Sequence, residues 1–594
     1  MKKTGRRWLR IGGIVVGTLV MALFSLYLGR HELTRRISGL PEFSHRAGDR
    51  TESMVVMSDG VELYTTVQLP RGKGPFPTVL VRSPYPDVSF LFRNLICGRF
   101  VRYGYACVLQ DVRGQGSSGG DWDPGTNNEI EDGSETLDWL VAQDFQDGNI
   151  AMVGSSFLAS VQYAALAGGA PSELKTIVPA MFTTDIRSVM YQDGLFRHET
   201  YTAWASMMRR SNTSDTGRDA GDEYQQAIRH RPHSEIDTEV YGVSMPWYRE
   251  MLSAVSPMSE YWQEADRVRI RELPEQIDIP VLLIGGWYDV FFGPQFDDWQ
   301  RLATRSESRY IIGPWAHSGS TGEYDTPGSE GGPFQWQEML PWLEHHLKGA
   351  PPAFPPGVKL YVIGQNEWVF RNDWPSTSSS QTWYLSDLDQ ANACTGGTLA
   401  STPGEGAVSY LYDPDNPVPT RGGAGMLAYN LRGYEGAPPV TSEQSGLCER
   451  DDVLTFRSEE ITEGMLISGT ISVILEVSSS APDTAFTAKL IEVLPDGRSF
   501  NIRDSITSLA YRNGSEMPQE YNPGERVTVT LKFWPIAWRI QPGSHLRLDV
   551  SSSDFPKFHA HTNRAGPWAA QTGADVAEQV VYGGLIEVPL ESPE

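Results

Sequence analysis

The chain has 594 residues, 40% of them hydrophobic and 11% aromatic, with a formal net charge of −25; that length buries several cores, and a body of this sign repels phosphates, which argues against a nucleic-acid partner. The charge is uneven, because residues 1–36 carry eight Lys and Arg against Glu32 alone, a net +7 that leaves −32 for the remainder. Four cysteines (Cys97, Cys107, Cys394 and Cys448) are too few for a disulfide framework; their grouping permits one bridge in each half, although four cysteines allow three connectivities and all four free.

Taken in chain order, Ile11 to Gly29 is a 19-residue apolar stretch behind a basic leader. It nearly spans a hydrocarbon core of about 30 Å and has no A-x-A cleavage signal before Arg30. Residues 1–36 therefore read as an uncleaved transmembrane signal anchor. The body would then be exported and membrane-anchored, facing the periplasm or exterior, with the membrane as a partner through residues 11–29. A cleaved signal peptide with secretion is the alternative reading, and a wholly cytoplasmic enzyme the third. Residues 37–52 form a polar linker.

From 53 to 178, strand, turn and helix alternate: Val61–Leu69, Pro77–Arg82 and Tyr105–Gln110 are strands, Glu131–Ala142 is a helix, and Thr176–Pro179 is a short returning strand. That rhythm predicts a parallel sheet covered by helices. Residues 179–276 lose the strand rhythm and become aromatic, Met-rich and helical, as in Tyr201–Met208 and Trp247–Met251, which predicts a cap inserted over the sheet's C-terminal edge. Residues 277–350 resume the sheet with Ile279–Ile284 and Tyr310–Ile312 and close with a helix over Gln335–Leu347. Beyond the proline-rich junction at 351–356, residues 351–594 read as strands separated by Gly, Pro, Asn and Asp turns. Two packed antiparallel sheets of jelly-roll type are expected there.

The chemistry-bearing residues fall at strand ends. Ser156, in Gly154-Ser155-Ser156-Phe157-Leu158, ends an apolar run and opens a helix-like stretch, where an α/β-hydrolase holds its nucleophile, although Leu158 replaces the usual second glycine. Asp289 follows Gly285-Gly286-Trp287-Tyr288, and His317 follows Gly313-Pro314-Trp315-Ala316. The order Ser, Asp, His supplies a hydroxyl, a carboxylate to hold an imidazole tautomer, and an imidazole able to take a proton near neutral pH. The Phe157 N–H and the Tyr85 phenol are the expected donors to a developing oxyanion. Pocket walls are expected from Phe196, Trp204, Met207, Met208, Trp287 and Phe292. Asp193 and Glu199 are candidates for contacting a substrate amine. No cofactor or metal is expected: His559-Ala560-His561 offers two ligands only, and His345 and His346 are adjacent on a helix.

On these motifs, together with Arg82-Ser83-Pro84-Tyr85, Asp111-Val112-Arg113-Gly114 and Ser551-Ser552-Ser553-Asp554-Phe555-Pro556, the chain resembles the superfamily of cocaine esterase, glutaryl-7-aminocephalosporanic acid acylase and X-Pro dipeptidyl-peptidase, the CocE/NonD type of α/β-hydrolase. The resemblance covers roughly residues 50 to 590. It implies a hydrolase core, a helical cap and a C-terminal jelly-roll β domain, with Ser156, Asp289 and His317 as the triad and Tyr85 as the side-chain oxyanion donor. Relatives acting on α-amino acid esters place acidic residues just after the triad aspartate, where this chain has Val290, Phe291 and Phe292. A serine hydrolase of carboxylic esters, acting through an acyl-enzyme on a small molecule with an apolar or aromatic acyl group, is the expected function. An amidase, acylase or X-Pro dipeptidyl-peptidase on the same triad is the first alternative, and a membrane-tethered glycan- or partner-binding module with an inactive hydrolase body the second.

Overall fold

The computed structural model describes residues 31–591 apart from 86–95, 123–127, 212–219, 330–331, 333–334, 377, 395, 427, 429–430, 432–435 and 437. A ten-stranded sheet organises residues 47–371. Its strands are β1 (Ala47–Val56), β2 (Glu62–Pro70), β3 (Phe76–Ser83), β4 (Ala106–Asp111), β5 (Gln146–Ser155), β6 (Leu174–Ala180), β7 (Leu282–Tyr288), β8 (Arg309–Ala316), β9 (Gly357–Val362) and β10 (Glu367–Arg371), in the spatial order β1-β2-β4-β3-β5-β6-β7-β8-β9-β10. The pairs from β4 to β9 are parallel, and the outer pairs β1–β2, β2–β4 and β9–β10 are antiparallel. Every residue of β3, β4, β7 and β8 is buried. Strands covered on both faces need continuous apolar runs rather than alternation, which is what Thr78–Val81 and Leu282–Ile284 supply.

Two helices that follow strands bear on the site, α1 (Asn128–Val141) and α2 (Phe157–Gly168). Between β6 and β7 lies a helical region with a two-stranded hairpin, Tyr191–Gln192 with Leu195–Phe196, a π-helical turn over His198–Thr202, and the helices Ala203–Ser211 and Pro246–Ser253. The turn and Ala203–Ser211 run on as one piece.

The C-terminal region departs from the expected jelly roll. Its strands form one branched twelve-stranded sheet instead of two antiparallel sheets. The physical reason is the 15-residue strand Ala577–Glu591, which pairs with four partners: Ser379–Ser386, Val408–Tyr412, Met465–Gly469 and Ser472–Ser479. A register shift at Glu476/Val477, where the partners step from Gly583 to Val581 and leave Tyr582 as the extra residue, lets that strand bend while staying paired. The sheet is also mixed, because Gly397–Ala400 runs parallel to Leu454–Ser458. Cys97 is bonded to Cys107 and Cys394 to Cys448, so the connectivity left open by the sequence resolves into one bridge in each half.

The membrane anchor requires correction as well. Among the described residues no helix is long and apolar enough to cross a membrane, and the expected span Ile11–Gly29 lies outside them. The transmembrane or signal segment, the membrane partner and the exported, membrane-anchored location that rested on it are not supported.

Candidate active site

Ser156 sits between the end of β5 and the start of α2 with φ 61° and ψ −131°, a conformation costly for a residue bearing a Cβ. Its N–H donates to the Ala180 carbonyl at the end of β6 (2.9 Å), and its own carbonyl accepts from Ala159 and Ser160, which ties the strained residue to sheet and helix. Gly154 makes the turn possible: a Cβ there would lie 2.5 Å from the Leu158 Cβ and 2.7 Å from the Leu158 carbonyl oxygen. Leu158 is buried in the core beneath the turn, so the substitution of leucine for the usual second glycine is accommodated by the absence of a side chain at 154. Phe157 is the first residue of α2, and its N–H belongs to the orphan donors of a helix N-terminus.

Asp289 and His317 are brought together by sheet register. Tyr288 of β7 pairs with Ala316 of β8, so the next residue on each strand emerges at the same edge. The His317 Nδ1 lies 3.0 Å from Asp289 Oδ1. Because a carboxylate only accepts, this contact places the imidazole proton on Nδ1 and leaves Nε2 free to take one. Asp289 is fully buried and also accepts from the Phe291 N–H (3.2 Å), while its Oδ2 has no hydrogen-bond partner among the described residues. The Phe291 ring packs 5.3 Å from the imidazole and shields the pair from water.

Tyr85 extends from the end of β3, its N–H held by Ser83 Oγ (3.2 Å). The Arg82 side chain before it is buried and anchored by Glu129 of α1 (2.7 Å) and by the Gln110 side chain (2.7 Å), which explains the structural half of the Arg82-Ser83-Pro84-Tyr85 motif. The phenol hydrogen-bonds Trp204 and Ser156, and desolvation pushes its pKa up to about 12 although both partners lower it. An indole N–H only donates, so Trp204 occupies an acceptor position of the phenol oxygen and the phenolic proton remains available to an acceptor.

Ser156, Phe157, His317 and Tyr85 face one cavity of about 300 Å³. Trp204 and Met207 line it as expected. The other four expected wall residues do not. Phe196 stacks on Trp568 (5.1 Å) and Met208 is buried outside the cavity lining. The Trp287 indole donates to the Tyr361 carbonyl (2.7 Å), and Phe292 packs under the Arg503 guanidinium (5.2 Å). Sequence reasoning missed Phe182, Ile186, Tyr201 and Met251 from the helical region, Phe291 beside the aspartate, and Met426 from the C-terminal region. The signals were the apolar run Val290-Phe291-Phe292 and the cap helices whose ends are Tyr201 and Met251; Phe182, Ile186 and Met426 carried none. Glu199, a candidate amine contact, instead accepts from the Met426 and Ala428 N–H groups (2.8 and 3.1 Å), and so fastens the C-terminal loop that contributes Met426 to the cavity. Asp193 lines a different cavity.

A strained serine at a strand-to-helix turn, an Asp–His pair at neighbouring strand ends and an apolar cavity over the serine define a serine hydrolase on an α/β-hydrolase sheet. Comparison with known proteins agrees. Residues 59–319 match the X-Pro dipeptidyl-peptidase (S15) family, and residues 353–572 the X-Pro dipeptidyl-peptidase C-terminal non-catalytic domain. The chain is 33% identical over 540 residues to the cocaine esterase of Rhodococcus sp. (strain MB1 Bresler), covering 86% of this chain and 92% of that one. It therefore belongs to the CocE/NonD and S15 superfamily of α/β-hydrolases, and it is a serine-hydrolase-type enzyme. The fold is shared with an aminopeptidase from a marine sediment Thaumarchaeota archaeon (22% identity, TM-score 0.76, 93% of this chain and 98% of that one). It is also shared with an α-amino acid ester hydrolase (23% identity, TM-score 0.78, 93% and 99%).

Proposed function

We propose that the enzyme hydrolyses carboxylic esters of apolar or aromatic acids through an acyl-enzyme on Ser156. The observation that carries this reading is the cavity itself: Phe182, Ile186, Met251, Phe291 and Met426 surround the serine, and among the described residues that line it none is acidic. A substrate with an α-ammonium group, such as an α-amino acid ester or an X-Pro peptide, would bury its charge there without a counter-ion, which costs far more than an apolar acyl group gains. The named activity of the cocaine esterase relative is likewise that of an esterase.

In the proposed reaction, Ser156 Oγ attacks the ester carbonyl while His317 Nε2 takes its proton. Asp289 stabilises the imidazolium through Nδ1–H. The tetrahedral oxyanion is held by the Phe157 N–H and the Tyr85 O–H, donors fixed in place before reaction and therefore requiring little reorganisation. The imidazolium returns the proton to the leaving alcohol oxygen, and a water activated by the same nitrogen releases the acid. A hydrolysis panel tests this directly. Aryl and alkyl acyl p-nitrophenyl esters are expected to give kcat/KM at least about a hundredfold above α-amino acid esters, Gly-Pro and Ala-Pro anilides, and acylated β-lactam amines. Faster release of X-Pro dipeptides or of the β-lactam amine would overturn the ester assignment.

A further inference from the structure

Trp204, which meets the Tyr85 phenol, stands near the start of the helix Ala203–Ser211, and two other indoles hold its ring edge to face. Trp122 lies 6.0 Å away at 69°, and Trp247, on the helix Pro246–Ser253, 5.5 Å away at 70°. Edge-to-face pairs are directional, so a ring caught between two of them has its N–H aimed as well as its body packed. Trp122 is itself placed by the motif Asp111-Val112-Arg113-Gly114, which the triad leaves unexplained. Gly114 has φ 66°, and a Cβ there would stand 2.1 Å from the Trp122 backbone nitrogen, so the chain bearing Trp122 crosses directly over the glycine. Arg113 beside it is anchored to Asp132 of α1 (2.6 Å). The Trp122 ring also lies 6.3 Å from the Phe157 ring, so the residues of both expected oxyanion donors border one aromatic cluster.

A phenol oxygen carries one proton and two lone pairs, and its torsion is soft, so a tyrosine hydroxyl in an apolar wall has no direction of its own. The Trp204 indole can only donate. Where its N–H meets the Tyr85 oxygen the phenolic proton cannot also point, and of the two side chains that hydrogen-bond the phenol, Ser156 is the one left to receive it. Donation from Trp204 also draws electron density from the oxygen and strengthens the O–H as a donor. Both effects act on the bond that must meet the oxyanion. Tyr85, Trp204 and Ser156 all face the acyl cavity, where no bulk water competes for the phenol.

We propose that Trp204 is a positioning residue of the oxyanion hole: its N–H, held in place by Trp122 and Trp247, turns the single proton of Tyr85 toward the point beside Ser156 Oγ where the oxyanion forms. The inference rests on Tyr85 being an oxyanion donor and adds the group that aims it. The helical region then takes part in the chemistry as well as walling the cavity, because a shift of the helix Ala203–Ser211 would release the phenol. Gly114 acts at one further remove, by letting Trp122 reach Trp204.

The test is a double-substitution cycle in the full chain. Trp204→Phe keeps an aromatic ring and deletes the N–H. Incorporation of 3-benzothienylalanine at position 204 deletes the N–H while keeping the size and shape of the indole, which covers the case of a repacked or unstable Trp204→Phe protein. Each change is made in the wild-type chain and in Tyr85→Phe, and the acylation rate constant at saturating p-nitrophenyl butyrate is measured by stopped flow, with KM alongside. Loss of the N–H is expected to slow acylation about three- to tenfold where the Tyr85 hydroxyl is present, the worth of one hydrogen bond, and by less than about twofold in Tyr85→Phe. The wall contact of Trp204 falls in KM, equally in both backgrounds. Equal slowing of acylation in both backgrounds, or none in either, would overturn the positioning role and leave Tyr85 as the donor. Unchanged acylation in Tyr85→Phe alone would overturn the donor reading and this proposal with it.

Discussion

At the scale of single residues, Tyr85 makes the sharpest claim, because a phenol serves as an oxyanion donor only while it keeps its proton. With its pKa raised to about 12 by desolvation, it stays a donor throughout the range in which an exposed tyrosine, near 10, would ionise. Tyr85→Phe is expected to lower kcat by about 10²–10³ with little change in KM. The ratio of wild-type to Tyr85→Phe rates should stay flat through pH 10 and fall only toward 12, read by initial rates in a pH-jump assay. A ratio collapsing near pH 10 would mean that the phenol stands in water. The placement of Ser156 and His317 at one cavity, with Asp289 behind the imidazole, was legible in the sequence because each residue follows an apolar strand and they come in a known order. The cavity walls were not, and adjacent residues show why: the Phe291 ring faces His317, whereas Phe292, one position on and already the first residue of the helix Phe292–Arg301, turns toward Arg503. An apolar pair declares burial without declaring which ring meets the substrate.

At the scale of elements, the turn from β5 into α2 is where sequence and geometry disagree most usefully. The missing second glycine of the motif reads as a flaw until Leu158 is seen to fill the space that a Cβ on residue 154 would need. Gly154→Ala is therefore expected to cost about 1–3 kcal/mol and to displace Ser156, with turnover falling more than binding of a substrate analogue. Thermal unfolding and single-turnover kinetics on one preparation check both parts; unchanged stability would show that the turn relaxes freely. Strands themselves were readable from apolar runs in the central sheet and from alternation elsewhere, yet their partners were not. Gly357–Val362, amid residues that read as part of the C-terminal β region, pairs parallel with β8, and the strand Ala577–Glu591 ties four partners into one sheet where two were expected. Alternation fixes which face is buried, and it carries no record of the neighbour. The π-helical turn over His198–Thr202 likewise leaves no periodic trace.

At the scale of the molecule, the helical region and the C-terminal sheet meet around buried histidines, which gives stability a definite dependence on pH. The folded-state pKa values of His198, His233 and His559 are depressed, so the stability they confer is complete above the unfolded value of about 6.5 and is lost as pH falls below it. Asp193 and Asp297, pushed up to about 6 by burial, act in the opposite sense, contributing below the ordinary carboxylate range and losing that contribution as pH rises through about 6. His559→Gln keeps an acceptor for the Phe196 N–H and removes one depressed imidazole. It is expected to take up about one proton fewer on urea unfolding at pH 5, measured with an indicator dye, and an unchanged uptake would contradict the burial of that ring in its neutral form. The apolar run Ile11–Gly29 shows the opposite limit of reading a sequence, since length and hydropathy alone suggested a membrane span that no described helix supplies. The central claim remains chemical: one serine, strained at the end of β5, is the nucleophile. It is tested most directly by reacting the full chain with a fluorophosphonate and mapping the adduct by peptide mass spectrometry beside the activity of Ser156→Ala. A single adduct on Ser156 and loss of essentially all esterase turnover in the variant are predicted; an adduct on another residue, or full activity in Ser156→Ala, would contradict it.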